Sequence, residues 1–206
     1  MMKSIYYNSL EYSLGQSKKI YVFSDEHLMR RFQDGDENAY ETLVSRYKDK
    51  LHNFIYFFVG DKDLAEDLVQ DTMVRLFTKK HYYKEVAKFS TWIYTIARNL
   101  SNSELRKRKK RKTFTISELS KDKSNYDLKD EKQGIEQCLE LKYDIEQIKI
   151  RINKLSRPFR TVIILRDIEN LSYVDISKIE SVPVGTIKSR INRARLQLRR
   201  ELKDLF

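Results

Sequence analysis

Residues 182–200 read VPVGTIKSRINRARLQLRR, a stretch that carries six cations and no acid. Pro183 stands where a helix would start, because the first turn of a helix tolerates proline. Apolar residues then recur at helical spacing, at Ile187, Ile191, Ala194 and Leu198. The stretch therefore predicts an amphipathic helix that buries one side and presents a strongly cationic outer side.

A short capped helix is predicted immediately before this one. Ser172 and Asp175 form an S-x-x-D capping box, and Leu171 and Ile176 stand at the two positions of a hydrophobic staple. This helix is expected to end near Ser181. A short helix, a brief turn and a longer cationic helix are typical of a helix–turn–helix, whose second helix enters the major groove of DNA.

The outer side of the second helix suits contact with DNA. Its cations can neutralise phosphates and release counterions, and they include Lys188, Arg193, Arg195 and Arg199. Polar residues near the start of the helix can reach base edges, and they are Thr186, Lys188, Ser189 and Asn192. A solvated cationic face is the alternative, but the capped helix before it favours DNA reading.

The composition of the chain agrees with a basic, helix-rich protein. The chain has 206 residues, a net charge of +11, five glycines and two prolines. A basic balance favours polyanionic partners, and scarce glycine and proline favour helices. We expect neither a membrane-spanning helix nor a secretory signal. The single Cys138 cannot form an intramolecular disulfide, which fits a reducing cytosol.

Helical periodicity also fills the first half of the chain. Asp36 and Asp61 are predicted N-caps, and Gly60 is a predicted helix stop. A polar loop, HYYKEVAKF, precedes the last helix of this half. The predicted helices cover about 26–33, 36–60 and 62–79, with a fourth that starts near Ser90.

Residues 106–112 read RKRKKRK, and a block of like charge repels itself and is expected not to pack. It either follows a phosphate backbone or is a solvated linker. Helical periodicity resumes at Ile145. We therefore predict an all-α protein of two small helical domains joined by a flexible basic linker, with the C-terminal domain a helix–turn–helix. The predicted segments are an N-terminal extension over 1–24, a first domain over 25–105, a linker over 106–144 and a second domain over 145–206.

The predicted helix over 62–79 carries an acidic outer face, which is unusual in so basic a chain. Its members are neighbours at i, i+4, i+7, i+8 and i+11 spacing, and they are Asp63, Asp67, Gln70, Asp71 and Val74. Acids repel DNA, so the face suits a basic protein partner. On spacing alone, the solubility of the helix and the attraction of acids to the helix dipole explain these residues slightly better than a protein partner does.

Residues 88–100 read KFSTWIYTIARNL and mix aromatic rings with Lys88 and Arg98. Bases of single-stranded DNA stack on such rings while cations hold the backbone. Burial in the core is the stronger alternative for Trp92 and Tyr94. Local chemistry leaves both interpretations open.

No catalytic site is expected. The three histidines are scattered and Cys138 lies apart from them, so no metal-ligand spacing appears. The five glycines are isolated, so no phosphate-binding loop is predicted. We therefore expect no enzyme activity, metal, cofactor or small-molecule substrate.

Five segments taken in order resemble one family: FQDGDENAYETLVSRY, DLAEDLVQDTMVRLF, FSTWIYTIARNL, LSRPFRTVIILRDIENLSYVDISKI and VPVGTIKSRINRAR. They are similar to the extracytoplasmic-function (ECF) sigma factors of bacterial RNA polymerase, in the sigma-70 family. The resemblance covers about 25–112 and 146–203. It implies a cytoplasmic protein that directs core RNA polymerase to promoters, helps to open them, and is not itself an enzyme.

The resemblance also implies a role for each surface. Docking on the clamp coiled coil of the polymerase is expected of Asp67, Gln70, Asp71 and Val74. Binding of the −10 element and capture of a flipped base of its melted non-template strand are expected of the segment 88–103, through Lys88, Thr91, Trp92, Arg98 and Asn99. Reading of the duplex −35 element is expected of Thr186, Lys188, Ser189, Asn192, Arg193 and Arg195. An anti-sigma factor is a further expected partner.

One departure concerns the turn of the helix–turn–helix, where the family often has glycine and this chain has Ser181. Serine adopts the left-handed conformation at a higher cost than glycine.

Two rival functions differ in the sequence features that they require. A free-standing helix–turn–helix regulator needs neither the acidic face nor the aromatic segment, and a DNA-processing enzyme needs a nucleophile or a metal cluster.

Overall fold

The computed structural model describes residues 23–115 and 147–202, and every regular element in these two ranges is helical. The first range holds α1 Asp25–Gln33, α2 Glu37–Val59, α3 Lys62–Thr78, a 3-10 turn Lys80–Tyr82 and α4 Phe89–Thr115. The second holds α5, described over 147–154, then α6 Arg157–Ile163, a π-helical turn Ile164–Ile168, α7 Tyr173–Glu180 and α8 Val184–Leu202. The predicted all-α fold is confirmed. The predicted N-terminal extension, except its last two residues, and most of the predicted linker lie outside the described residues.

Side chains set the boundaries of α2 and α3 as predicted. The Asp36 carboxylate accepts from the backbone N–H of Asn38 at 3.0 Å, at the start of α2. Gly60 ends that helix in the left-handed conformation, with φ of 76°. Asp61 Oδ1 then accepts from the Leu64 N–H at 3.0 Å and begins α3. Each cap satisfies a backbone group that has no partner inside its helix.

The loop before α4 is less polar than predicted. The Tyr83 ring is buried and lies 5.9 Å from the buried ring of Phe89, centroid to centroid. The Tyr83 hydroxyl donates to the Ala87 carbonyl at 2.8 Å. The first N–H of α4, that of Phe89, donates to Glu26 Oε1 at 3.0 Å. A carboxylate from α1 therefore caps α4, a contact that no local pattern indicates.

The C-terminal part of α4 differs from the predicted linker. α4 continues through the basic run to Thr115, whereas a linker was expected from residue 106. Acids offset the repulsion among the cations: Glu104 lies 3.5 Å from Lys107, and Asp61 lies 2.8 Å from Arg108. Helical propensity of Lys and Arg is high, and these pairs add to it.

The starts of α6 and α7 are formed in different ways. Ser172 Oγ accepts from the Asp175 N–H at 3.1 Å, so the predicted cap of α7 is confirmed. The Asp175 carboxylate accepts from the Ser172 hydroxyl at 2.6 Å and from the Thr91 hydroxyl at 3.0 Å. Ser156 precedes α6, and its side chain makes no capping hydrogen bond.

One continuous apolar core joins the two described ranges. It contains buried residues of α2 and α4, such as Phe54 and Ile93, together with Ile176 and Ile179 of α7. α7 packs against α4, and α6 packs against α2. The two predicted domains are therefore in direct contact, and this contact brings α7 against the segment of α4 that is expected to meet DNA.

Candidate nucleic-acid interface and acidic face

The α8 helix buries one side and exposes the residues predicted to read DNA. Ile187, Ile191 and Ala194 are buried against the preceding helices, as their spacing predicts. Thr186 is half-buried at the start of the helix. The predicted readers that are exposed are Lys188, Ser189, Asn192, Arg193 and Arg195. These side chains share the outer side of one helix, so they can meet one surface together.

The turn before α8 is a left-handed one, formed without glycine. Ser181 has φ of 56° and ψ of 42°. Its N–H donates to the Lys178 carbonyl at 3.3 Å, and the Val182 N–H donates to the Ser177 carbonyl at 3.1 Å. These two bonds are those of a Schellman motif. The helix–turn–helix therefore keeps its geometry although serine replaces the usual glycine.

One predicted reader is held by an acid of its own half. The Arg195 guanidinium forms two hydrogen bonds with the Asp167 carboxylate, one of them from Nε to Oδ2 at 3.1 Å. The hydrogen bonds to Asp167 raise the pKa of Arg195 further above its usual value. Asp167 lies in the π-helical turn after α6, and nothing in the local sequence assigned it a partner 28 residues away.

The predicted acidic face lies on the outer side of α3. Its opposite side is buried, including Ala65, Leu68 and Leu76. The residues predicted to bind the polymerase are all exposed, and they are Asp67, Gln70, Asp71 and Val74. Val74 is 59% exposed and Phe77 is 45% exposed. The face therefore combines acids with exposed apolar side chains.

A groove of about 360 Å³ runs between α2 and α3, beside this face. Lys48, Asp49 and His52 line it from α2, and Glu66 and Gln70 line it from α3. Gln70 thus belongs both to the acidic face and to the groove. The groove gives the face a concave part that a protruding segment of a partner can enter.

The residues predicted to bind the −10 element differ in how accessible they are. Lys88 and Asn99 are exposed, and Trp92 and Arg98 are half-buried. The indole of Trp92 packs 5.4 Å from the Tyr83 ring, centroid to centroid. Thr91 is buried. The alternative of a core role is confirmed for Tyr94, which is fully buried.

Two acids of α7 contact this segment. Asp175 accepts from Thr91 and lies 3.4 Å from Lys88 Nζ. Burial acts to raise the pKa of Asp175, but the hydrogen bonds from Ser172 and Thr91 and the charge of Lys88 lower it on balance. Asp175 is therefore held as a carboxylate among donors that are expected to bind a polyanion.

Arg98 makes the second contact of this kind. Its Nε lies 3.2 Å from Glu180 Oε1, and its Nη2 donates to the Glu180 carbonyl at 2.9 Å. Sequence reasoning assigned Asp175 only to a helix cap and gave Glu180 no role. The available signal was weak: both are acids in a half of the chain that is otherwise strongly basic.

Two other kinds of site are absent from the described ranges, 23–115 and 147–202. No group of three or more His, Cys, Asp or Glu side chains within them could hold a metal ion. No helix there is both long and apolar enough to cross a membrane.

Two family models match the chain. The model for sigma-70 region 2 matches residues 43–111, and a model for sigma-70 region 4 matches residues 145–198. The first match contains α3 and most of α4, and the second contains the helix–turn–helix.

Individual relatives match over nearly their whole length. The chain is 34% identical over 196 residues to the ECF RNA polymerase sigma factor SigW of Bacillus subtilis, with 86% of this chain and 96% of the relative covered. It is 32% identical to the ECF RNA polymerase sigma-E factor of Haemophilus influenzae, with 89% and 97% covered. A similar solved structure is the sigma factor RpoE in complex with the anti-sigma factor NepR from Bartonella quintana. It is 28% identical, with a TM-score of 0.63, 79% of this chain covered and 96% of that one.

Proposed function

Because the chain belongs to the ECF group of the sigma-70 family and is a promoter-recognition sigma factor of RNA polymerase, we propose that three of its surfaces divide the work. The observation that supports this division is the separation of charge. Exposed acids line the outer side of α3, and exposed cations line the outer side of α8. An acidic face suits a protein partner, whereas a cationic face suits DNA.

The cationic side of α8 reads the duplex −35 element. Lys188 and Arg193 are exposed and carry no described acid as a partner, so their charge is available to phosphates or to guanine edges. Ser189 and Asn192 lie beside them and supply donors and acceptors. Arg195 acts differently, since Asp167 orients its guanidinium and reduces the net charge that it offers.

The segment from Lys88 to Asn99, at the start of α4, binds the −10 element and captures the melted non-template strand. Its exposed residues, Lys88 and Asn99, lie one at each end of the segment. Trp92 supplies a half-buried ring on which a base can stack. Thr91 and Arg98 take part once their contacts with α7 are released.

The acidic face of α3 docks on a basic surface of core RNA polymerase. Asp67 and Asp71 provide the charge, Val74 provides exposed apolar area, and Gln70 extends the contact into the groove beside α2. Charge complementarity of this kind sets the specificity and the rate of association.

The chain works in the cytoplasm as a specificity subunit. It is not itself an enzyme, and the core enzyme catalyses RNA synthesis. An anti-sigma protein is proposed as a further partner, since RpoE of Bartonella quintana forms such a complex.

A pair of variants tests the division of labour. Asp71→Arg is expected to weaken binding to core polymerase about tenfold or more, because it places like charge on the docking surface. Arg193→Ala is expected to leave that affinity unchanged and to weaken binding of the holoenzyme to promoter DNA, with a loss of about 1–3 kcal/mol. The measurements are a titration of core polymerase and run-off transcription on a library of genomic promoter fragments.

Glu41→Arg is the matched control, because it reverses an exposed acid on α2. If Asp71→Arg binds core polymerase as tightly as this control, the docking role of α3 is rejected. If Arg193→Ala retains the full promoter affinity of the wild type, the reading role of α8 is rejected. The strand-capture role is tested separately with Asn99→Ala, which should reduce permanganate reactivity of thymines at the −10 element in the holoenzyme.

A further inference from the structure

The exposed cations on the outer side of α8 are of two kinds. Lys188 and Arg193 have no carboxylate partner among the described residues, whereas Arg195 has one. Arg195 donates from Nε to Asp167 Oδ2 at 3.1 Å and from Nη2 to Asp167 Oδ1. Exposed ion pairs are usually weak, but a guanidinium that shares two parallel hydrogen bonds with a carboxylate is an exception. The Asp167 carboxylate therefore fixes the orientation of one predicted DNA reader.

The charge of Asp167 is directed to Arg195 and not to the cation beside it in the chain. The Arg166 guanidinium turns the other way, donates to the Leu171 carbonyl at 2.8 Å and lies 4.8 Å from the centroid of the Tyr173 ring. Asp167 itself belongs to the π-helical turn that follows α6. Turns of this type are rare and occur frequently at functional sites.

The pair leaves part of the Arg195 guanidinium available to DNA. A guanidinium has five N–H donors, and Asp167 takes two of them, so three remain, at Nη1 and Nη2. The side chain of Arg195 is 50% exposed. Arg195 lies about three turns after Val184, where α8 begins. Because the start of the second helix contacts base edges, a residue this far along it is better placed for a phosphate.

We propose that Asp167 is a positioning residue, which holds Arg195 for one phosphate of the −35 element and offsets its charge towards all other DNA. This proposal rests on the proposed function of α8. A mobile guanidinium of full charge attracts the phosphates of any sequence. A guanidinium that is paired and fixed offers directed hydrogen bonds with little net charge. Because phosphate contacts set the register of a protein on the duplex, Asp167 lowers binding to non-promoter DNA and favours one register.

Binding of random-sequence duplex to the full chain tests the effect on charge. The probe is a fluorescent duplex titrated at several salt concentrations. Asp167→Asn, which is nearly isosteric, should bind it about threefold to tenfold more tightly at low salt, with a salt dependence steeper by about one phosphate. Glu201→Gln is the matched control, because it removes an acid of the same half that pairs with Lys154. The control should leave both values unchanged, and circular dichroism verifies that each variant is folded.

The same titration in an Arg195→Gln background separates positioning from simple repulsion between Asp167 and DNA. If Asp167 acts through Arg195, Asp167→Asn should change the affinity and the salt dependence much less in this background than in the wild type. An equal change in the two backgrounds would overturn the proposal, because the carboxylate would then only repel DNA. An affinity of Asp167→Asn equal to that of the wild type at every salt concentration would overturn it as well.

Run-off transcription by the holoenzyme, with random duplex as a competitor, tests the consequence for promoter choice. Asp167→Asn holoenzyme should lose half of its transcription at a lower competitor concentration than wild-type holoenzyme, because its preference for promoter DNA is smaller. Equal sensitivity of the two holoenzymes would contradict the proposal. Arg193→Ala distinguishes the two possible failures: if it still weakens promoter binding, α8 reads DNA and only the role of Asp167 is rejected.

Discussion

Ser181 is the residue at which the helix–turn–helix departs from its usual chemistry. It adopts φ of 56° and ψ of 42°, a conformation in which any side chain with a Cβ is strained and glycine is not. The Schellman bonds around it are nevertheless formed. The packing of α7 and α8 therefore imposes the left-handed turn, although Ser181 is strained in it.

We predict that Ser181→Gly stabilises the chain by about 1 kcal/mol, because it removes this left-handed strain. The measurement is the midpoint of urea unfolding, followed by circular dichroism. Ser177→Gly is the control, and it should destabilise the chain by about 0.5 kcal/mol because residue 177 lies inside α7. A lower midpoint for Ser181→Gly than for the wild type would mean that the serine hydroxyl is needed in the turn.

At the scale of elements, Asp61 serves two helices at once. Oδ1 accepts from the Leu64 N–H and caps α3, and Oδ2 pairs with Arg108 at 2.8 Å near the end of α4. The hydrogen bond from Arg108, followed by that from the Leu64 N–H, lowers the pKa of the Asp61 carboxyl. Both contacts are therefore present at neutral pH and are lost only as the pH falls through this lowered pKa.

We predict that Asp61→Ala destabilises the chain by about 1–2 kcal/mol, as expected for the loss of an N-cap. Asp61→Asn should cost much less in global stability, because asparagine also caps helices well. Both variants lose the ion pair with Arg108, so amide hydrogen exchange over 106–111 should quicken in both. Slow exchange over this run in both variants would show that the basic part of α4 is helical without Asp61.

At the scale of the whole molecule, a half-buried carboxyl lies where the two halves meet. Glu169 follows the π-helical turn, and burial raises its pKa, with the Tyr94 hydroxyl and the Lys50 charge acting in the opposite direction. Tyr94 and Lys50 belong to the first half. Because the folded state holds this proton more tightly than the unfolded state, the unfolding free energy falls as the pH rises from about 4.5 through the raised pKa.

We predict that Glu169→Gln removes the fall in unfolding free energy that Glu169 causes as the pH rises. The unfolding free energy of the variant minus that of the wild type should grow as the pH rises from about 4.5 to 7, because only the wild type must ionise a half-buried carboxyl. Asp36, Asp61 and Asp175 give the unfolding free energy the opposite pH dependence. This contribution is the same in both proteins, so subtraction cancels it. Urea unfolding at several pH values measures the difference, and a difference that does not vary with pH would contradict the prediction.

The local structure of this protein follows from its sequence because the interactions responsible act over a few residues. The caps at Asp36 and Asp61, the stop at Gly60 and the buried stripe of α8 were all predicted, and each involves partners within one or two helical turns. The exposure of the α3 acids follows in the same way from helical periodicity. The helicity of the basic run was not predicted, and one of its ion pairs joins Arg108 to Asp61, which is 47 residues away.

The sequence by itself determined the helices, their order and the two faces of opposite charge. Only the tertiary structure decided that α7 lies against α4, that Glu26 caps α4 and that Asp167 holds Arg195. Thr91 and Asp175 are 84 positions apart, so no periodicity or capping rule relates them. Such a contact forms because the apolar sides of α4 and α7 exclude water together, and the polar groups that they carry into the core must then find partners there.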